Sequence, residues 1–250
     1  MEKNKQTFPS EKVTLPSKGL LYKKESPLAK GVIEMKYMTA REEDILTNQN
    51  YIQKGIVIDE LLKSLIVTSD VNYNDLLVGD KNAIMVAARI LGYGADYSFN
   101  YNNEQHTINL TEIDDKPMDK SLITDGKNEF HFTLPTSKIE VTFKLLTHGD
   151  EKALEAEIKG LKKLNKNSSP DVSTRMKHMI TSVNGDVERK TIREFVDNTL
   201  LARDARELRN YAAKIQPDID LSFDYEDARG DLQRVDIPIE VGFFWPDASV

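Results

Sequence analysis

The sequence predicts an α+β protein in which helical blocks alternate with antiparallel β-hairpin ribbons. Three observations carry this. EFHFTLPTSKIEVTFKLL alternates apolar and polar residues with period two on both sides of a short turn. DEKALEAEIKGLKKL instead repeats Leu154, Ile158 and Leu161 at helical spacing. The order helices-then-ribbon also occurs twice, and the related tetrapeptides SFNY and SFDY open two of the ribbons. That echo has two readings: two similar halves from an old duplication, or a chance match of four residues. The expected division is a flexible arm over 1–12, an N-terminal α+β half over 13–115, a loop over 116–128, and a C-terminal α+β half over 129–250 ending in an edge strand.

Residues 1–12 are polar and read as mobile. In VTLPSKGLLY, Pro16 and Gly19 bracket a turn, and Leu20, Leu21 and Tyr22 supply an apolar anchor. With Leu15 and Pro16 they form a first set of interface candidates. Ile33, Met35 and Tyr37 alternate with Glu34 and Lys36 as in a strand. Thr39 and Glu42 make a capping box that opens a helix through AREEDILTNQ. IVIDELLKSLIV is a second helix. DKNAIMVAARILGYG is a third, with Asp80 as N-cap and Gly92 as stop; it is apolar nearly all round, which predicts burial. The ribbon ADYSFNYNNEQHTINL turns at Asn102-Asn103, and a loop over 114–128 leads to the hairpin around 135–137.

The C-terminal half reads as an amphipathic helix, a loop at KNSSPDVS, and a helix through TRMKHMITSV that stops at Asn184-Gly185. ERKTIREFVDNTLLARDARELRNYAAKI follows as one long helix, or two broken near Asn198. A third ribbon ends the chain. With period two, Val235, Ile237, Ile239, Val241, Phe243 and Trp245 share one face of its last strand. Pro238 cannot donate to a ladder, so that strand lies at an edge or is irregular. Phe243, Phe244, Trp245 and Pro246 have two readings: packed inside the chain, or presented to a docking partner. They are the second set of interface candidates.

Net charge is -7, which argues against sequence-independent nucleic-acid binding. There is no cysteine, so disulfides, thiol catalysis and cysteine-ligated zinc are excluded. No secretory signal and no membrane-length apolar run is present, so a cytoplasm is the expected compartment. His106, His131, His148 and His178 are scattered and read as surface or capping residues. Gly92 and Gly94 follow a helix rather than a strand, the reverse of a nucleotide site. Glu42-Glu43-Asp44, Asp114-Asp115, Asp218 and Asp220 read as solvated acids. ARDARELR reads as a salt-bridged helix face with an Arg203–Glu207 pair, and Lys159, Lys162, Lys163 and Lys166 as a solvated basic face. No catalytic residue, cofactor or metal site is expected.

TLPSKGLLY, KYMTAREEDILT, GDKNAIMVAARILGYG, KHMITSVNGD, IREFVDNTLLARDARELRNY and IPIEVGFFWP together resemble the baseplate hub proteins of T4-like contractile-tailed bacteriophages, over about residues 13–246. The resemblance implies a structural or assembly role in the baseplate hub, other hub or tail proteins as partners, and no enzymatic activity. It implies a location in the host cytoplasm during assembly, or in the virion baseplate. Some members look as if they carry Cys pairs in the ribbons, like zinc knuckles. Here the corresponding turns read YNNEQ and YEDARG, so the resemblance implies packing around Phe99, Tyr101, Phe223 and Tyr225 instead of metal. Two other readings stand beside it: a hub-associated hydrolase using a carboxylate pair, and a nucleic-acid-binding module.

Overall fold

The computed structural model describes residues 9–164, 170–226, 229–239 and 241–245. Strand β1 (Ser10–Thr14) pairs antiparallel with β2 (Val32–Lys36). Residues 10–12 of the expected arm are therefore ladder residues, and the first eight lie outside the described residues. Helix α1 (Ala40–Leu46) ends earlier than the expected 40–49, because Asn48 caps a separate α2 (Gln49–Lys54) through bonds to the N–H groups of Asn50 and Tyr51. Helices α3 (Val57–Leu65) and α4 (Val78–Tyr93) follow. The N-cap of α4 is Leu77 rather than Asp80, and its C-cap is Gly94 rather than Gly92. Strands β3 (Asp96–Tyr101) and β4 (Glu104–Asn109) form the first ribbon, with Asn102 and Asn103 at positive φ as a tight hairpin turn demands.

The second half opens with β5 (Phe130–Thr133) and β6 (Glu140–Phe143), then α5 (His148–Leu164) and α6 (Asp171–Met179). The expected helix through TRMKHMITSV stops at Met179. Residues ITSV become strand β7 (Ile180–Val183), which pairs with β6 and completes a three-stranded sheet. The β-branched Ile180, Thr181 and Val183 suit that pleated, half-buried surface. Of the expected loop at KNSSPDVS, residues 166–169 lie outside the described residues, and Asp171–Ser173 instead form the first turn of α6. Helices α7 (Arg189–Asn198) and α8 (Ala202–Ile215) are separate, and β8 (Ser222–Glu226) pairs with β9 (Leu232–Asp236). The last strand ends at Asp236. Beyond it the chain leaves the ladder at Pro238 and closes in a short 3-10 turn, Val241–Phe243.

The two halves repeat one plan, in sequence and in hydrogen bonding. Each opens on an antiparallel strand pair whose first strand runs out through Thr-Leu-Pro: Thr14-Leu15-Pro16 and Thr133-Leu134-Pro135. Each second strand leads into a capped helix through Lys-x-x-Thr-x-x-acid. Lys36 Nζ lies 2.8 Å from Glu42, and Lys144 Nζ lies 2.7 Å from Asp150. The backbone N–H of Thr39 donates to Glu42 at 3.1 Å, and that of Thr147 to Asp150 at 3.1 Å. Each plan has an antiparallel contact back to the second strand, Met35 with Ile66 and Phe143 with Ile180. Each ends in a Leu-Leu-x-x-Asp helix, α4 or α8, and an aromatic ribbon. The first copy carries α2 as an extra; the second carries α7. One hydrophobic cluster runs through both copies, from Leu15 and Ile33 to Phe143, Ile215 and Phe243.

Candidate functional site

The Thr-Leu-Pro loops close on the buried acids of α4 and α8. Asp80 has no exposed surface and accepts from the Ser17 N–H at 2.9 Å and the Tyr22 hydroxyl at 2.5 Å. The Leu77 N–H, an orphan donor at the start of α4, donates to the Tyr22 oxygen at 2.9 Å. Burial pushes the Asp80 carboxyl above its ordinary range, against the bonds it accepts from Tyr22 and Ser17. Asp204 also has no exposed surface and accepts from the N–H groups of Thr136 at 2.8 Å and Ser137 at 3.0 Å. Burial raises its carboxyl pKa, but those bonds outweigh it and leave the net shift downward. The loop that carries Ser17 is tight: a Cβ at Gly19 would stand 2.3 Å from the Ala29 carbonyl oxygen.

The first set of interface candidates therefore belongs to this latch. Leu15, Pro16, Leu21 and Tyr22 are buried and Leu20 is half-buried. In the second set Phe243 and Phe244 are buried, Phe243 sitting edge-on to Tyr97 with centroids 4.9 Å apart. Trp245 is half-buried against the core, and Pro246 lies outside the described residues. Of the two readings of the aromatic end, the structure places Phe243 and Phe244 inside the chain.

A second polar cluster joins the two copies. The main chains of Leu77 and Thr147 pair antiparallel, with the His148 N–H donating to the Leu76 oxygen at 2.7 Å. Beside them Asp59, Tyr73 and Lys81 of the first copy meet His148 of the second. Lys81 Nζ lies 2.7 Å from Asp59 and 3.2 Å from His148 Nδ1; the Tyr73 hydroxyl donates to Asp59 at 3.0 Å. An ammonium can only donate, so His148 Nδ1 accepts and its proton lies on Nε2, 3.2 Å from Asp59. Burial and then Lys81 push the imidazole below its ordinary pKa, against the pull of Asp59. A groove of about 680 Å³ opens alongside, lined in part by Lys54, Met85, Lys152 and Lys159.

Sequence reasoning read His148 as a surface or capping residue and, its capping box aside, counted Glu42 among solvated acids; both are buried. Glu42 bonds to Lys36, Thr39 and Ser64, and although burial opposes it, these hold its carboxyl down at about 2. Asp204 is likewise not part of an exposed salt-bridged face, and the neighbouring ion pair is Arg206–Glu207. His178 pairs with Glu157 at 3.0 Å. Of the basic cluster, Lys162 pairs with Asp171 and Lys166 lies outside the described residues. The ribbons meet as the aromatic reading expects: Phe99–Phe223 and Tyr101–Tyr225 centroids are both 5.0 Å apart. The residues there do not suit a zinc ion. No cysteine exists, and His106 Nε2, though buried without a partner, has no companion ligands among the described residues.

These features define a two-copy α+β scaffold whose main polar clusters are closed on themselves. No helix among the described residues is long and apolar enough to cross a membrane. No family model matches the chain, and no curated protein or solved structure matches it.

Proposed function

We propose that this chain is a structural or assembly component of the central hub of a contractile-tailed phage baseplate, acting through protein–protein contacts and not as an enzyme. The observation that carries the reading is the set of segments shared in appearance with that family. TLPSKGLLY, KYMTAREEDILT and the stretch containing Leu200 to Asp204 are the joints of this fold: the latch, the capped helix start and the Leu-Leu-x-x-Asp turn. The chemistry of the polar clusters agrees with a building part. Asp59, Tyr73, Lys81 and His148 spend their hydrogen bonds on one another.

The hydrolase reading has less support. A glycosidase acid needs a raised pKa beside a substrate cleft. Among the described carboxyl groups with a displaced pKa, only Asp80 is raised, and it lies under the latch loop. The nucleic-acid reading has the charge of -7 against it. The test is genetic. A phage carrying a stop codon early in this gene should yield tails without baseplates, restored by supplying the chain in trans. Normal baseplates in its absence would sink the proposal.

A further inference from the structure

Inside the molecule the first copy meets the second through a short antiparallel contact. Leu76-Leu77-Val78 lies against Leu146-Thr147-His148, held by the His148 N–H to the Leu76 oxygen at 2.7 Å and the Val78 N–H to the Leu146 oxygen at 3.4 Å. The repeat supplies a counterpart for both edges. Leu200-Leu201-Ala202 stands in the second copy where Leu76-Leu77-Val78 stands in the first. Met38-Thr39-Ala40 stands in the first copy where Leu146-Thr147-His148 stands in the second. Neither counterpart is covered. Leu77 is 2% exposed but Leu201 is 46% exposed. Leu146 and His148 are buried, whereas Met38 is half-buried and Ala40 exposed.

We infer that these two open edges dock on each other between molecules, so that the second copy of one chain meets the first copy of the next. The occupant of the Leu201 edge is a second copy of this chain. The contact inside the molecule is the template, and Thr39 presents the same local structure as Thr147, down to the bond from its N–H to the acid three residues on. Ala40 and Ala202 open their helices, so their N–H groups have no intrahelical acceptor and are available for the pairing. The charged cluster of the inner junction is absent from both open edges: Ala40 stands for His148 and Ala205 for Lys81. No buried charge must then be matched when the edges meet. The contact joins different surfaces, so it propagates head to tail into a ring or an open chain. It rests on the repeat and not on the baseplate reading.

The chain has no cysteine, which makes the test direct. In the template, Leu77 and Thr147 face each other as a non-hydrogen-bonded pair, the type whose side chains approach closest and suit a disulfide. Thr39→Cys and Leu201→Cys are prepared as separate proteins, mixed and oxidised. The expected result is a disulfide-linked dimer from the mixture, weak or missing from either protein alone, and a ladder from the double variant. No dimer from the mixture overturns the inference. So does a double variant that closes only within one chain. Leu201→Asp checks the unmodified interface, since Asp is a good N-cap for α8 and leaves the fold intact. Light scattering should show the wild type as a multimer and the variant as a single chain at an unchanged Tm. A wild type of 28.4 kDa at its highest soluble concentration overturns the inference equally.

Discussion

Phe99 and Phe223 meet edge to face, ring centroids 5.0 Å apart, each the second residue of the Ser-Phe-x-Tyr tetrapeptide in the first strand of its ribbon. Tyr101 and Tyr225 repeat the relationship one pleat further on. Equivalent residues of the two copies thus touch each other, and the ribbons stick through their like faces. Phe99→Leu and Phe223→Leu should each lower stability, and a double-mutant cycle should return a coupling of about 0.5–1.5 kcal/mol. Additive losses in urea unfolding would mean the two rings are merely buried side by side.

Gly79 fixes how closely α4 approaches the segment before β8. A Cβ there would stand 1.9 Å from the Pro217 carbonyl oxygen. Gly79→Ala should therefore cost about 3 kcal/mol or more, since a backbone atom must move. Gly160 in α5 has open space around it, and Gly160→Ala should add up to about 1 kcal/mol. Thermal unfolding of the two variants should shift Tm in opposite directions.

His148 gives the junction a dependence on pH. Its folded pKa lies below the ordinary 6.5, so the unfolded chain binds the proton more readily. The stability this neutral imidazole contributes is present above 6.5 and is lost as pH falls through 6.5 toward the folded value. His148→Gln keeps a neutral side chain and removes that component. Between about pH 8 and about pH 5, the wild-type Tm should fall more steeply than that of the variant. Parallel curves would show that the imidazole titrates alike in both states.

Glu42 acts at lower pH. Its carboxyl is held at about 2 against an ordinary 4.5, so its contribution is present above 4.5 and disappears as pH falls from 4.5 to about 2. Glu42→Gln should flatten the unfolding curve in that window and leave its shape at neutral pH unchanged. An unaltered acid limb would contradict the capped ion pair with Lys36.

The aromatic end should behave as core. Phe243→Ala should cost about 3–5 kcal/mol, because the ring has no exposed surface and packs on Tyr97 and Phe244. A truncation removing 241–250 should lower Tm as well as any binding, so it cannot isolate a docking role. Normal melting of Phe243→Ala would return this segment to the interface reading.

The ribbons and most helices were legible because each follows a local rule. Period two marks β3 to β6 and β8, and helical spacing marks α3, α5 and α8. Strand β7 was not, because ITSV is only four residues long and half polar, and only the waiting edge of β6 makes it a strand. Asp80 looked like an N-cap, Asp204 like part of a salt-bridged face, and Glu42 like a solvated acid beyond its capping box, because Ser17, Thr136 and Lys36 come from loops or strands that no local pattern connects to them. The repeat showed only in the doubled order of helices then ribbon and in SFNY and SFDY. Its other marks, Thr-Leu-Pro and Leu-Leu-x-x-Asp, are spaced unequally, since α2 lengthens one copy and α7 the other. Period two carried the last strand past Pro238, where the missing N–H ends the ladder.

Two like modules in one chain pose a sorting problem while it folds. Asp80 can accept from the loop of Ser17 or from that of Thr136, and Thr136 is the nearer to it in sequence. Chain distance therefore does not select the native partner. The first loop carries Tyr22, whose oxygen takes the Leu77 N–H while its hydroxyl reaches Asp80; the shorter second loop has nothing of that reach. Tyr22 is thus the residue that tells one half from the other. Without it, the latch loops would lose the contact that keeps closure in register, and crossed closure within or between chains would compete with the native fold.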